Sequence, residues 1–491
     1  MDSSNSHQQL HFILFPFMAQ GHLLPMTDIG MMLAQQGVMV SIITTPLNAQ
    51  RIQATVARGA DSGLRIKLIE VPFPSDKAGL PNKYESVDMM PSLRLGKEFF
   101  EATYIMQESV ETLFEQLTPK PSCIIADMTL PYTANIATKF GIPRISFNGF
   151  SAFCMACLVK LQIHNVLDSI TSESEPFAIP GLPHHIEITR NQLPQAMIDM
   201  TGFAEKVWAA EGINFGFIIN SFDELETEYI QELRKAKGHK VWCIGPVSLS
   251  NKDELDKLHR GNKASIDVHQ CLEWLNKQQP GSVLYVCLGS LCNLIPLQLI
   301  ELGLGLEASG KPFIWDIRSG ETTKELKKWI VEYGFEEKTK GRGFLIRGWA
   351  PQLVILSHPA VGGFLTHCGW NSTLEGICAG KPMATWPLFG DQFCNEKLVL
   401  QILKIGVRVG SEVTIRWGEE ERFGVLVKKE HVKMAVDQLM DGGMESEERR
   451  KRVQELRELA KKAISVEGSS FLNMQSLIQD VLQQSLLRRN E

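Results

Sequence analysis

The chain has 491 residues, 44% of them hydrophobic and 22% charged, too long for one ordinary domain at roughly 150 residues each and too apolar for a disordered or fibrous protein. Its net charge of −6 exerts no general pull on nucleic acid or an anionic membrane, so an anionic ligand has to be held by local groups. The polar first nine residues do not read as a secretory leader, and no apolar run reaches the roughly 20 residues of a membrane span.

The ten cysteines are scattered, and several sit in apolar stretches, Cys123 and Cys287 among them. That usage implies reduced, buried thiols in a cytoplasmic protein. Cys154 and Cys157 form a lone C-x-x-C, and without a second pair downstream it predicts neither metal nor redox use.

From Leu10 onward, short β-branched runs alternate with amphipathic stretches of helical length, a βαβ rhythm that predicts parallel sheets covered by helices on both faces. Strands are expected over 11–17, 38–45, 64–72, 122–127, 143–147 and 215–220, with a helix over 23–36 stopped by Gly37. These make a first Rossmann-like lobe, residues 1–247. The pattern lapses into a polar stretch over 248–265, read as a linker ending near 267. It restarts with strands over 282–290, 312–318, 343–347, 361–367 and 382–386, giving a second Rossmann-like lobe over 268–469. A last helix, within 470–491, carries Phe471, Leu472, Met474, Leu477, Ile478, Val481 and Leu482, and needs a surface to pack on, which the first lobe can supply.

The segment 349–392 reads WAPQLVILSHPAVGGFLTHCGWNSTLEGICAGKPMATWPLFGDQ. A strand runs into His367-Cys368-Gly369-Trp370-Asn371-Ser372, where a helix begins. Backbone N–H groups at a helix N-terminus, with the positive end of the dipole, favour an anion without a metal or a basic cluster. Gly369 lets the backbone come close, and Asn371, Ser372 and His367 add side-chain donors. Glu375 can accept two ribose hydroxyls, and Trp349 offers a face for a pyrimidine. Taken one at a time, Asn371 and Ser372 also read as caps, Trp349 as core and His367 as an internally bonded histidine. Their order together points to a nucleoside diphosphate.

These motifs, W-A-P-Q, S-H, G-G-F, H-C-G-W-N-S, the glutamate, G-K-P and the closing D-Q, resemble the plant secondary product glycosyltransferase box, and nearly the whole chain is similar to plant family 1 UDP-glycosyltransferases. The resemblance implies the GT-B fold, two Rossmann-like lobes facing across a cleft, with the donor in the second. It further implies that Trp349 stacks on uracil, the Ala350 backbone pairs with its edge, and Gln352 and Glu375 hold the ribose. By the same likeness Ser290, His367, Gly369, Asn371 and Ser372 hold the diphosphate, while Trp370, Asp391 and Gln392 face the sugar. A glutamine closing the box is similar to members that prefer glucose, which makes UDP-glucose the expected co-substrate, with no cofactor and no metal.

On residues alone, His22 in its glycine-containing turn lies where an open α/β sheet binds ligands, and it reads as well as a cap or surface histidine. Asp127 reads as a cap or loop residue. The resemblance assigns the histidine of F-M-A-Q-G-H and the aspartate of A-D as a catalytic dyad. A histidine with an ordinary pKa of about 6.5 can take a hydroxyl proton near neutral pH, and an aspartate on its other nitrogen fixes the tautomer. One displacement then inverts the anomeric centre, and the helix N-terminus stabilises the departing UDP.

A hydrophobic plant acceptor, a triterpenoid or steroid, flavonoid or related phenolic, is expected against the Met-, Phe- and Pro-rich segments 73–88, 147–157 and 192–203, with Gly21, Asn148 and Phe150 as contacts. Asn148 departs from F-H-G, which relatives often carry, and Asp316 stands where valine is common. The expected partners are two small molecules, with no nucleic acid and the chain working as a monomer. An NAD-dependent oxidoreductase lacks its fingerprint here, since Gly303, Gly305 and Gly310 fall in or at the end of a predicted helix at the wrong spacing. A UDP-sugar isomerase or hydrolase on the same fold is the alternative reading.

Overall fold

The computed structural model describes residues 10–489 except 82–83, 195–201, 239, 259, 293, 318–322 and 416–417. The polar start of the chain and most of the expected acceptor segment 192–203 therefore lie outside the described residues. The chain forms two compact α/β units, one of Met1–Ala156, Ala196–Asp256 and Lys461–Glu491, the other of Cys157–Gln195 and Lys257–Ala460.

The first unit is built on seven strands, β1 (His11–Phe15), β2 (Met39–Thr44), β3 (Ile66–Glu70), β4 (Cys123–Asp127), β5 (Arg144–Asn148), β8 (Gly216–Ile219) and β9 (Val241–Cys243); a small hairpin of β6 (Phe177–Ala178) and β7 (Glu187–Ile188) belongs to the second unit. All seven are parallel, in the order β3-β2-β1-β4-β5-β8-β9. Central strands β1, β4, β5 and β8 are buried along their whole length, which is why β1, β4 and β8 read as near-continuous apolar runs, whereas β5 buries Arg144, Ser146 and Asn148 among its five residues. Edge strand β3 alternates into solvent. The other edge, β9, is too short to announce itself in the sequence and is covered by the last helix, Ser469–Arg489. That helix buries Met474, Leu477, Ile478 and Val481, and Asn473 Nδ2 donates to the Cys243 carbonyl at 2.9 Å. Docking on the first lobe is therefore as expected, although Leu472 turns outward at 54% exposure.

The second unit holds six parallel strands, β10 (Val283–Cys287), β11 (Phe313–Ile317), β12 (Gly343–Arg347), β13 (Val361–Thr366), β14 (Met383–Thr385) and β15 (Gly406–Arg408), ordered β12-β11-β10-β13-β14-β15. Its core closes around Trp315, Trp386, Leu302, Leu365 and Leu439. β15 escapes the apolar-run criterion because only Val407 of its three residues is buried.

Both sheets have one topological switch point, where the strand order reverses and two loops leave side by side from carboxyl ends. In the first it falls between β1 and β4, with Phe15 opposite Ala126. In the second it falls between β10 and β13, with Cys287 opposite Thr366. His22 and Asp127 lie at the first point, and Ser290 and the residues from His367 to Ser372 lie at the second. The polar stretch after 248 is less featureless than its composition: it contains a helix, Glu254–Leu258, and Asn251 is buried where its Nδ2 donates to Asp28 at 3.0 Å. Among the described residues no helix is long and apolar enough to cross a membrane, and none of the ten cysteines is disulfide-bonded.

Candidate functional site

At the first switch point, β1 ends at Phe15 and the helix Gln20–Gln35 begins five residues later, so His22 stands in its first turn. Asp127 is the last residue of β4, one step beyond the Phe15–Ala126 pair. Adjacent parallel strands thus deliver both side chains to the same edge, and His22 Nδ1 lies 2.6 Å from Asp127 Oδ2. The other carboxylate oxygen accepts from the Thr129 N–H at 3.0 Å and the Thr129 hydroxyl at 2.7 Å. The aspartate is thereby fully buried and held, whereas the His22 side chain keeps 24% of its surface exposed. With Nδ1–H donating to the carboxylate, the imidazole lone pair sits on Nε2.

The ring is also fixed from its sides. Phe17 meets it edge to face with centroids 5.4 Å apart, and a Cβ on Gly149 would come within 3.3 Å of Nδ1. Gly149 follows Asn148, whose side chain closes β5; Asn148 is 1% exposed and its Oδ1 has no hydrogen-bond partner. Phe150 is half-buried in the loop after it, and Gly21 is exposed beside His22. Ser86 and Val87, in the expected acceptor segment, tie back to the Met18 carbonyl at 2.9 Å each. Phe17 also stacks on Phe100, which lies 4.1 Å from Phe203 between centroids, and Phe73 packs on Phe99. Phe99 and Phe100, on the helix Gly96–Gln116, were not among the expected site residues, because on sequence they belong to an ordinary amphipathic stripe.

Beyond Gly149, Glu226 accepts from the Phe153 N–H at 2.7 Å and the Ala152 N–H at 3.3 Å, and also from the Ser221 hydroxyl. It thus caps the helix that starts after the Asn148 loop. Burial pushes its carboxyl up to about 7, against these hydrogen bonds.

At the second switch point, β13 ends at Thr366 and the helix Trp370–Cys378 begins with Gly369 as its N-cap. The turn between them puts Cys368 at φ 64, a left-handed conformation that costs a non-glycine residue about 1–3 kcal/mol and persists only where its surroundings hold it. Thr366 Oγ1 accepts from the Cys368 N–H at 3.3 Å, and Asn395 Nδ2 donates to the Cys368 carbonyl at 2.9 Å. The His367 ring lies between two glycines, since a Cβ on Gly289 or on Gly369 would sit 2.4 Å from its Nε2. Ser290 follows Gly289 in the loop after β10. The first N–H groups of the helix, at Trp370, Asn371 and Ser372, have no intrahelical acceptor. The Trp370 ring is buried.

One turn further, Glu375 is 5% exposed, and Gln352 bridges it to Ser372: its Nε2 donates to Glu375 Oε2 at 2.7 Å and to Ser372 Oγ at 3.1 Å. Gln352 opens the helix Gln352–Ser357, and its N–H donates at 2.9 Å to the carbonyl of Ala350, which follows half-buried Trp349. Gln392 is buried, and its Oε1 accepts from the Leu388 and Phe389 N–H groups at 2.8 and 3.1 Å. Only its amide nitrogen has hydrogen-bonding capacity to spare, narrower than the donor-and-acceptor role the residue type allows. Asn395 Nδ2 also donates to Asp391 Oδ2 at 2.7 Å, so one amide steadies both the Cys368 turn and Asp391. Asn395 carries no motif signal and was missed. Asp316, where valine is common, accepts from the Cys287 thiol at 3.2 Å.

Residues 259–414 match the family described as UDP-glucoronosyl and UDP-glucosyl transferase, and residues 8–249 match the glycosyltransferase N-terminal domain. The chain is 52% identical over 478 residues to UDP-glycosyltransferase 73C11 of Barbarea vulgaris, covering 96% of this chain and 97% of that one. It is 51% identical over 486 residues to UDP-glycosyltransferase 73C6 of Arabidopsis thaliana, covering 98% of each. The crystal structure of Glycyrrhiza uralensis UGT73P12 complexed with glycyrrhetinic acid 3-O-monoglucuronide is similar with a TM-score of 0.88 at 39% identity, over 98% of this chain and 97% of that one.

Proposed function

Since the chain belongs to the plant family 1 UDP-glycosyltransferases and is a UDP-dependent glycosyltransferase of GT-B fold, we propose that it moves glucose from UDP-glucose to a hydroxyl of a hydrophobic plant small molecule, with inversion. The observation that carries the chemistry is the 2.6 Å contact between His22 Nδ1 and a fully buried Asp127. His22 Nε2 takes the proton of the acceptor hydroxyl as its oxygen attacks the anomeric carbon. The C–O bond to the β-phosphate oxygen of UDP breaks, and its electron pair leaves with UDP. Asp127 holds the tautomer and stabilises the imidazolium.

In the donor half, Trp349 stacks on uracil, the Ala350 backbone pairs with its edge, and Gln352 and Glu375 take the ribose. The N–H groups after Gly369, with Ser290, His367, Asn371 and Ser372, take the diphosphate, whose growing negative charge the helix N-terminus stabilises without a metal or other cofactor. Trp370, Asp391 and Gln392 face the sugar. Gly21, Asn148 and Phe150 contact the acceptor, and the chain works as a monomer in the cytoplasm.

A triterpenoid acceptor draws support from UGT73P12, solved with a glucuronide of glycyrrhetinic acid, and the phenylalanines around Phe17 suit a bulky apolar ring system. Steroids, flavonoids and related phenolics share that chemistry. The test is a panel of these aglycones with UDP-glucose, read by mass spectrometry. Loss of sugar nucleotide without any glycoside, or an epimerised UDP-sugar formed in the absence of acceptor, would show an isomerase or hydrolase instead.

A further inference from the structure

One glutamate serves two helices beside the catalytic histidine. The backbone carbonyl of Glu226 accepts from the Ile230 N–H at 3.0 Å and so opens the helix Thr227–Ala236. Its side chain turns to a different helix, Ala152–Ile163, and accepts from the Phe153 and Ala152 N–H groups at 2.7 and 3.3 Å. The Ser221 hydroxyl donates to the same carboxyl, and the Phe153 and Tyr229 rings meet edge to face with centroids 4.8 Å apart, packing the two helices together. Glu226 is 2% exposed and Ala152 and Phe153 are fully buried, so solvent cannot replace the carboxyl at those N–H groups.

Between β5 and the helix at Ala152 lie only Gly149, Phe150 and Ser151, and both ends of this turn are fixed. At the strand end Asn148 is in register with Ile219 of β8; at the helix end Glu226 holds Ala152 and Phe153. Gly149 faces the catalytic ring, since a Cβ there would come 3.2 Å from His22 Cε1 and 3.3 Å from Nδ1. The turn is therefore a wall against the imidazole edge that carries those atoms. The hydrogen bond from Nδ1 to Asp127 fixes the ring at one atom, and swing about that bond is limited by Phe17 and by this wall. Where the wall stands consequently decides where the Nε2 lone pair points, and transfer is sensitive to such aim.

We propose that Glu226 is a positioning residue for the transfer: by holding the first turn of the helix after Gly149 it keeps the 149–151 turn against His22, and so sets the line along which Nε2 meets the acceptor hydroxyl. This rests on the reading of His22 as the base. The role requires reach to the two N–H groups rather than charge. A glutamine has the same reach, whereas an aspartate keeps the charge and is one methylene short.

The experiment is steady-state kinetics of the full chain with UDP-glucose and the aglycone of the panel above that is turned over fastest. The variants are Glu226→Gln, Glu226→Asp, Glu226→Ala, Gly149→Ala and the double variant Glu226→Asp with Gly149→Ala, each at a temperature where circular dichroism shows it folded. Glu226→Asp and Glu226→Ala should lower kcat by about 10- to 100-fold, the cost of a small misplacement of a catalytic group, while UDP affinity by calorimetry stays level. Glu226→Gln, which still accepts from the Phe153 N–H, should keep most of the wild-type rate. Gly149→Ala should lower kcat by itself, and its fold-loss should shrink in the Glu226→Asp background, because a released turn can back away from the ring. Glu226→Asp carries the test where Glu226→Ala does not fold. Wild-type kcat in Glu226→Asp, losses that multiply in the double variant, a parallel loss of UDP affinity, or a Glu226→Gln rate as low as that of Glu226→Asp would each overturn the positioning role. Failure of the base reading shows separately, as a His22→Ala variant that keeps the wild-type rate.

Discussion

His22 and Asp127 are 105 residues apart in the chain and meet at 2.6 Å because β1 and β4 are neighbours in register. The contact uses one ring nitrogen and one carboxylate oxygen, and Thr129 holds the remaining oxygen. His22→Ala should lower turnover by about 10²–10⁴-fold while UDP affinity, measured by calorimetry, stays level. Asp127→Asn should also be severe, since an amide can present its N–H₂ to Nδ1 and favour the wrong tautomer. A variant that kept more than about a tenth of the wild-type rate would remove its residue from the mechanism.

The donor sugar is expected to be read by Asp391 and by the Gln392 amide nitrogen, the part of that side chain left over by Leu388 and Phe389. A hydroxyl of the wrong orientation leaves a buried polar group unpaired, at about 1–3 kcal/mol or roughly 10- to 100-fold in rate. Wild type should prefer UDP-glucose to UDP-galactose, Gln392→His should narrow that ratio, and Asp391→Ala should depress both. The measurement is kcat/KM for the two donors and UDP-glucuronate on one acceptor. Donor ratios that ignore both substitutions would place sugar recognition elsewhere.

Stabilisation of the leaving diphosphate by backbone N–H groups predicts that chelation leaves the rate unchanged. Activity is followed before and after EDTA treatment. A loss restored by magnesium or manganese would assign that stabilisation to a metal ion.

Glu226 predicts a pH dependence of stability. Its carboxyl is raised from the ordinary 4.5 to about 7 by burial, so between those values the folded chain holds a proton that the unfolded chain has released. Stability from this group is complete below about 4.5 and is lost as pH rises through about 7, by about 3 kcal/mol at about 1.4 kcal/mol per unit. Glu396, buried and also raised to about 7, contributes a slope of the same sign. Glu226→Gln mimics the protonated group and should flatten part of the slope in urea unfolding followed by circular dichroism from pH 5 to pH 8. Parallel profiles for variant and wild type would mean that Glu226 is already charged at pH 5.

Much of this protein was legible in its sequence, because the signals were local. Strands β1, β4 and β10 are buried on both faces and so read as apolar runs, and the turn at 367–372, expected to take the diphosphate, is a contiguous strand-to-helix segment. Strands β9 and β15 were not legible, being three residues long at the edges of their sheets. Tertiary structure alone decided which distant residues meet. Nothing near Asn395 marks it as the amide that steadies Cys368 and Asp391, nothing near Glu226 says that it caps the helix at Ala152, and Arg260, whose Nη1 lies 2.6 Å from Glu375 Oε1, sits in a polar stretch that reads as linker. Their partners are between 4 and 115 residues away, and even the nearest is chosen by how a helix faces the turn before it. A residue's type and neighbours give its chemical capacity; which partner that capacity meets is set by strand order and helix packing, which depend on the whole chain.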